Sequence, residues 1–317
     1  MTEQSPFAFF DRLAEIGGLD WRQTQAHVQS KLVAFAQKLE VDPPKLAKID
    51  DMIVDGATGP LRARFYQPSL RSRPQPAIVF FHGGGFVTGS LDSHDSLCRR
   101  LASHSDCALI SVDYRLAPDF PFPAAFDDAR AAFLWLVERA KLLAIDPDRI
   151  AVAGDSTGGN LAAAISLDLA GSEGPGPALQ VLFYPLLQFS AAMTRRAAPI
   201  APFLLTAQAL DFCKRAYLAQ NIAYDDPRIS PLLANDLRGL PPAFIVSAGL
   251  DPLREEAIDY AERLREAGVP VVFRDYPSQF HSFLNWTSLS LVALDAIKDA
   301  GEHIGVTLGR LTTPSEA

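Results

Sequence analysis

The sequence predicts an α/β fold, built on a mainly parallel sheet with helices on both faces. Short apolar and β-branched runs alternate with longer helical stretches from about residue 77 onward, the order that parallel strands and their crossover helices produce. Two of those runs, 77–81 and 108–112, suit strands buried on both faces. A length of 317 residues with 48% hydrophobic content allows a sizeable core, in one large domain or two small ones.

Residues 1–45 read as helical, most clearly over 21–39, where Val28, Leu32, Phe35 and Leu39 recur at three- and four-residue spacing. Pro43 and Pro44 end that stretch. Phe7, Phe9 and Phe10 would form either a flap over a pocket or a buried anchor, and periodicity does not separate the two. Strands are expected at 49–54, 61–67 and 77–81; residues 61–66 alternate apolar and polar, as a half-exposed antiparallel strand does. A short helix at 93–103, a buried strand at 108–112 and an amphipathic helix at 124–140 follow. A strand running into Gly154 leads to an alanine-rich helix at 161–170, then a strand at 180–184. Beyond it come a strand at 243–248, a helix at 253–267, a strand at 271–276 and a final helix at 284–303.

Residues 188–224 break the alternation, with helical character at 206–220 and no strand pattern. Such an insertion between sheet strands forms part of a cap over the end of the sheet. The expected organisation is therefore an N-terminal helical part of the cap at 1–45, a core at 46–187, an inserted cap segment at 188–224 and a second core part at 225–317.

Composition excludes several classes. A net charge of −8 disfavours both a nucleic-acid footprint and a polybasic membrane attachment. No apolar stretch reaches the length of a membrane-spanning helix, and the first residues lack the basic flank and cleavage pattern of a signal peptide. Cys98, Cys107 and Cys213 are scattered, without metal-type spacing, which suits a reducing compartment. A cytoplasmic protein acting on a small, uncharged molecule is the expectation.

Two glycine-rich stretches carry the chemistry. Gly154-x-Ser156-x-Gly158 lies between a strand and a helix, the setting of a nucleophile elbow. A serine in so sharp a turn has a strained backbone, and glycines on either side remove Cβ collisions across it. The following helix start places N–H groups and a positive dipole end beside the hydroxyl. The second stretch, His82-Gly83-Gly84-Gly85-Phe86, directly follows a buried strand. Residues 86–91 supply neither the Lys-Ser/Thr pair of a phosphate loop nor a Gly-x-Gly-x-x-Gly helix start. Exposed N–H groups there suit an oxyanion hole instead.

A serine nucleophile requires a base, and the base an orienting carboxylate, in the chain order Ser, Asp or Glu, His. Only His281 and His303 follow Ser156. His303 stands among Asp295, Lys298, Asp299 and Glu302 and reads as a solvated helix residue, whereas His281 follows a strand and a short loop. His281 is the expected base. Asp251 ends the 243–248 strand region in Gly249-Leu250-Asp251-Pro252, ahead of Asp225, Asp226 and Asp236, which follow no strand. A helix N-cap would also favour aspartate at 251.

With these residues in view, the chain resembles the hormone-sensitive lipase family of α/β hydrolases, in its bacterial esterase branch, over roughly residues 45–310. The resemblance rests on HGGGF at 82–86, DYRLAPD at 113–119, PFPAAFDD at 121–128, GDSTGGN at 154–160, SPLLA at 230–234, GLDPLR at 249–254 and FHSF at 280–283. It implies an α/β-hydrolase fold with a helical cap. It further implies Ser156, Asp251 and His281 as the catalytic residues, with the N–H groups of Gly83, Gly84 and Thr157 as the oxyanion hole. The implied activity is hydrolysis of short- to medium-chain esters without a cofactor. Thr157 stands where the family usually has alanine, and Ser282 where glycine is common.

An amidase or lipase would use the same residues. A non-catalytic small-molecule receptor on the same fold is the alternative of a different class, and His281 argues against it. A nucleotide-binding α/β protein is disfavoured by the missing lysine. The edge strand at 271–276, with a neighbouring helix, could support a homodimer.

Overall fold

The apolar runs become eight strands: β1 (Lys48–Asp55), β2 (Pro60–Gln67), β3 (Gln75–Phe81), β4 (Ala108–Val112), β5 (Ile145–Asp155), β6 (Leu179–Phe183), β7 (Ala243–Ala248) and β8 (Val271–Tyr276). Among the described residues after β1, they are accompanied by the α-helices α1 (Asp95–Ser105), α2 (Ala124–Arg139), α3 (Thr157–Asp168), α4 (Ala207–Tyr217), α5 (Arg254–Glu266) and α6 (Leu291–Arg310). This computed structural model describes residues 37–71, 74–172, 174–189, 207–218 and 222–310, together with Gln25, residues 29–31, Val33, Ala34 and Leu205. Of the expected 21–39 helix, Gln25, residues 29–31, 33–34 and 37–39 are helical; Phe7, Phe9, Phe10 and most of the segment 188–206 lie outside the described residues.

The strands form one sheet in the order β1-β2-β4-β3-β5-β6-β7-β8. β1, β2 and β4 run antiparallel in turn, and every pair from β4 to β8 is parallel. The alternation of side chains along the strands splits the core in two. Ala77, Val79 and Phe81 of β3 join Ile150 and Val152 of β5 on the face covered by α2, α3 and α5. Ile78, Phe80, Ala151 and Ala153 face α1 and α6. Both faces of β3 are therefore dry, which is why its sequence shows no polar alternation.

The expected last helix begins too early. Phe283–Asn285 is a separate 3₁₀ turn, and α6 starts at Leu291. The intervening residues bond elsewhere: Ser288 N–H donates to Leu39 O at 2.8 Å, and Val41 N–H donates to Thr287 Oγ1 at 2.8 Å. These bonds dock the segment around Leu39 and Val41 against the body and take residues 287–288 out of the helix path.

No helix among the described residues is long and apolar enough to cross a membrane.

Candidate active site

β5 ends at Asp155 and α3 starts at Thr157, so the reversal falls on Ser156, at φ 54° and ψ −116°. A non-glycine residue in such a region costs on the order of 1–3 kcal/mol and persists only where its surroundings fix it. Here Ser156 N–H donates to Phe183 O at 2.9 Å, while Ser156 O accepts from Asn160 N–H and Leu186 N–H, each at 3.1 Å. The flanking glycines answer to sterics. A Cβ on Gly158 would lie 1.9 Å from Phe81 O, and one on Gly154 would lie 2.3 Å from Gly158 C.

His281 is carried over the sheet end by the loop after β8. Its Nε2 lies 2.9 Å from Ser156 Oγ and its Nδ1 lies 2.6 Å from Asp251 Oδ2. With Nδ1–H donated to the carboxylate, the Nε2 lone pair is left to accept the serine hydroxyl. All three side chains are buried, Ser156 9%, Asp251 5% and His281 4% exposed. Asp251 is not the cap of α5, whose N-cap is Leu253; its Oδ1 accepts Leu253 N–H at 2.8 Å in the preceding turn, so that bond and the histidine contact fall on separate oxygens of one carboxylate. Asp226 and Asp236 pair instead with Arg228 and Arg238 at 2.7 Å. His303 is half-buried, its ring 4.8 Å from that of Phe244 and its Nε2 3.3 Å from Thr307 Oγ1, away from Ser156's hydrogen-bond partners.

Ser282, beside the histidine, takes the left-handed conformation at φ 65°. That explains why glycine suits this position, and a serine there costs about 1–2 kcal/mol. The His281 loop nevertheless reaches both partners.

The glycine loop after β3 corrects one expectation. Gly83 N–H donates to Asp155 Oδ1 at 2.8 Å, so it is already committed and does not face the cavity as a free donor. Gly84, at φ 125°, and Gly85, at φ 68°, both line the cavity at Ser156, and their N–H groups have no acceptor among the described residues. Thr157 N–H, at the first position of α3, is likewise without one. Gly85 is not among the donors expected from the sequence.

His82 anchors this loop. Its Nδ1 lies 2.8 Å from Gly83 O, Tyr114 stacks on its ring at 4.4 Å, and Tyr114 Oη donates to His82 O at 2.6 Å. Complete burial, with His94 nearby, pulls the His82 imidazole down to about 3, so it is neutral at ordinary pH. Asp155 beneath it behaves differently. Burial would raise its carboxyl, but facing His94, the hydrogen bond from it and the Gly83 N–H outweigh burial and hold it below its usual value. Asn160, read as a loop holder, donates Nδ2 to Leu186 O and Ile229 O, each at 2.8 Å.

Away from these polar groups the cavity wall is apolar, lined by Phe189, Leu205, Leu210, Cys213, Leu253 and Trp286. The first four fall in or beside the segment that interrupts the strand pattern.

Residues 78–285 match the sequence profile of a family described as having the alpha/beta hydrolase fold. The chain belongs to that family. Within the α/β hydrolases it falls in the hormone-sensitive-lipase-like group of bacterial esterases. The chain is 45% identical over 243 residues to a carboxylic ester hydrolase of Mycobacterium tuberculosis, LipN, across 75% of this chain and 64% of that protein, under two thirds of its length. It is 40% identical over 238 residues to the ethyl acetate hydrolase of Pseudomonas putida, with 74% of each chain covered. Among solved structures, a thermostable carboxylesterase cloned from a metagenomic library superposes with a TM-score of 0.85 at 36% identity, over 92% of this chain and 98% of that one. As an α/β hydrolase, the chain keeps the family's position for a nucleophile, at the turn between β5 and α3 in the middle of the sheet.

Proposed function

We propose that this α/β hydrolase is a serine carboxylesterase that cleaves short- to medium-chain esters through an acyl-enzyme on Ser156. The observation that carries the reading is His281, bridging Ser156 Oγ at 2.9 Å and Asp251 Oδ2 at 2.6 Å. His281 takes the serine proton as Oγ attacks the ester carbonyl, and Asp251 holds the ring and offsets the charge that forms on it. The carbonyl oxygen becomes an oxyanion beside the N–H groups of Gly84, Gly85 and Thr157, with Gly85 in the place expected for Gly83. Collapse of the tetrahedral intermediate expels the alcohol, protonated by His281. Water then attacks the acyl carbonyl, with His281 again as base.

The apolar wall suits an acyl chain rather than a charged substrate. Relatives named for hydrolysis of carboxylic esters, and of ethyl acetate in particular, support the substrate class. The segments 1–45 and 188–224 are assigned to a cap; for 188–224 the cavity contacts of Leu205, Leu210 and Cys213 support it. A cytoplasmic location accords with three free, buried cysteines. The open edge of β8, which pairs only with β7, is the surface through which a second copy would add.

The test is hydrolysis of p-nitrophenyl esters from acetate to palmitate by the wild type and by Ser156→Ala. Turnover should peak at short or medium chains and fall by about 10⁴-fold or more in the variant. A variant that keeps wild-type turnover overturns the nucleophile assignment, and a peak at palmitate overturns the chain-length assignment.

A further inference from the structure

Asp155 sits directly before Ser156 and is 1% exposed. Its carboxylate draws together three segments far apart in sequence. From the loop after β3, Gly83 N–H donates to Oδ1 at 2.8 Å. From the turn after His281, Asn285 Nδ2 donates to Oδ2 at 3.2 Å. From the residue before α1, His94 Nε2 lies 3.1 Å from Oδ1 and 3.3 Å from Oδ2. An ionised carboxylate is acceptor-only, so the Nε2 carries hydrogen and donates.

The His94 ring is itself clamped. Its Nδ1 lies 2.8 Å from Ser93 Oγ, which also accepts Ser90 N–H at 2.9 Å. The rings of His82 and Phe80 stand 5.6 and 6.1 Å away. His94 is 6% exposed, lines the same cavity as Ser156, and forms no hydrogen bond with the Ser156 or His281 side chains.

Gly83 packs so closely on this carboxylate that a Cβ there would lie 2.6 Å from Asp155 Oδ2. Because the Gly83 N–H is bonded to Oδ1, a rotation of the carboxylate pulls on Gly83, and through it on the neighbouring N–H groups of Gly84 and Gly85. Of the three donors on Asp155, the Gly83 N–H belongs to the loop being held, while His94 Nε2 and Asn285 Nδ2, 3.5 Å from each other, hold the carboxylate from outside that loop.

We propose that His94 is a positioning residue that acts through Asp155 to hold the Gly84 and Gly85 N–H groups where the tetrahedral oxyanion forms. The inference rests on the reading of Ser156 as nucleophile and adds a device that fixes the oxyanion loop relative to it. A group that acts only on the oxyanion changes transition-state stabilisation and leaves ground-state binding in place.

The experiment compares wild type, His94→Leu and His94→Gln on one p-nitrophenyl ester, with two inhibitors. One is an alkyl trifluoromethyl ketone, which adds Ser156 and places an oxyanion in the loop. The other is the matching methyl ketone, which largely stays trigonal. His94→Leu should lower kcat by about 10- to 100-fold with KM within about 2-fold, less than outright removal of a donor, which costs about 10²–10³. Trifluoromethyl ketone affinity should weaken by the same factor and methyl ketone affinity stay put. His94→Gln, which returns an N–H to Asp155, should recover kcat to within about 3-fold of wild type. Should the leucine variant not fold, as read by its thermal melt, His94→Asn replaces it, since its amide is too short to reach Asp155. An unchanged kcat, an equal loss toward both ketones, or a glutamine no better than leucine overturns the proposal. Ser156→Ala is run in parallel: if it stays active the nucleophile reading fails, whereas an inactive Ser156→Ala beside a fully active His94→Leu defeats this inference alone.

Discussion

Gly84 has no room for a side chain: a Cβ would lie 2.2 Å from Thr88 O, and its φ of 125° is one that side-chain-bearing residues rarely adopt. Backbone contact cannot be relieved by a rotamer change, so Gly84→Ala must shift the loop. The expected result is a fall in kcat of about 10²-fold, comparable to loss of an oxyanion donor. Gly59→Ala, where nothing lies within 4 Å of the added atom, should leave kcat within about 2-fold of wild type. Ester turnover by the two variants checks this, and equal turnover would remove the oxyanion role from the loop. At this scale the sequence was partly legible. The meeting of Ser156, Asp251 and His281 could be read because each follows a strand in the order the chemistry demands. Which glycine N–H is free could not, because Gly83 is claimed by a carboxylate 72 positions away. His94 gave no signal either, since its partner lies 61 positions on and nothing in the local pattern points there.

At the scale of elements, the loop after β4 is tied to α2 by one ion pair. Arg115 donates Nε to Asp128 Oδ2 at 2.7 Å and Nη2 to Oδ1 at 2.9 Å, and the same carboxylate accepts Arg115 N–H at 3.1 Å and Ala57 N–H at 3.2 Å. Asp128 is fully buried, so it connects the β1–β2 turn, the β4 loop and α2 without contact with water. Arg115→Ala would leave that charge held by two neutral N–H groups, and removing one partner of a buried pair costs about 3–5 kcal/mol. Urea unfolding should show the midpoint drop with an unchanged slope. Arg115→Lys should recover only part, because an ammonium lacks the two-pronged geometry; full recovery would mean that charge alone matters. The strands themselves were legible, since runs such as Ile78-Val79-Phe80 have nowhere to go but a dry sheet. The placement of β4 between β2 and β3 was not, because neighbour choice is decided by tertiary pairing rather than by local pattern. The late start of α6 has the same origin, in the bonds that residues 287–288 make to the distant 39–41 segment.

Across the whole molecule, the half-buried Glu40 and the buried His82 act on stability with opposite sign. Glu40 lies where the 39–42 segment docks beside α1, and Arg100 Nη2 donates to Val41 O there at 2.6 Å. Burial raises the Glu40 carboxyl from 4.5 to about 7, against the opposing pull of His94, Ser96 and Arg100. Between those values the folded chain binds a proton that the unfolded chain has released, so this group's contribution falls as pH rises through the window. His82 runs the other way. Its folded value of about 3 lies below the ordinary 6.5, so the unfolded chain takes up the proton first and stability is lost as pH drops below 6.5. In the wild type the two slopes oppose each other between 4.5 and 6.5. Glu40→Gln removes one of them while keeping a polar side chain of similar size. Thermal melts from pH 4.5 to 8 should therefore rise more steeply with pH in the variant, which matches the wild type at the acidic end and exceeds it above about 7. Parallel melting curves would mean that Glu40 is no more buried when folded than when unfolded, and the 39–42 segment would then not be docked against α1 as described.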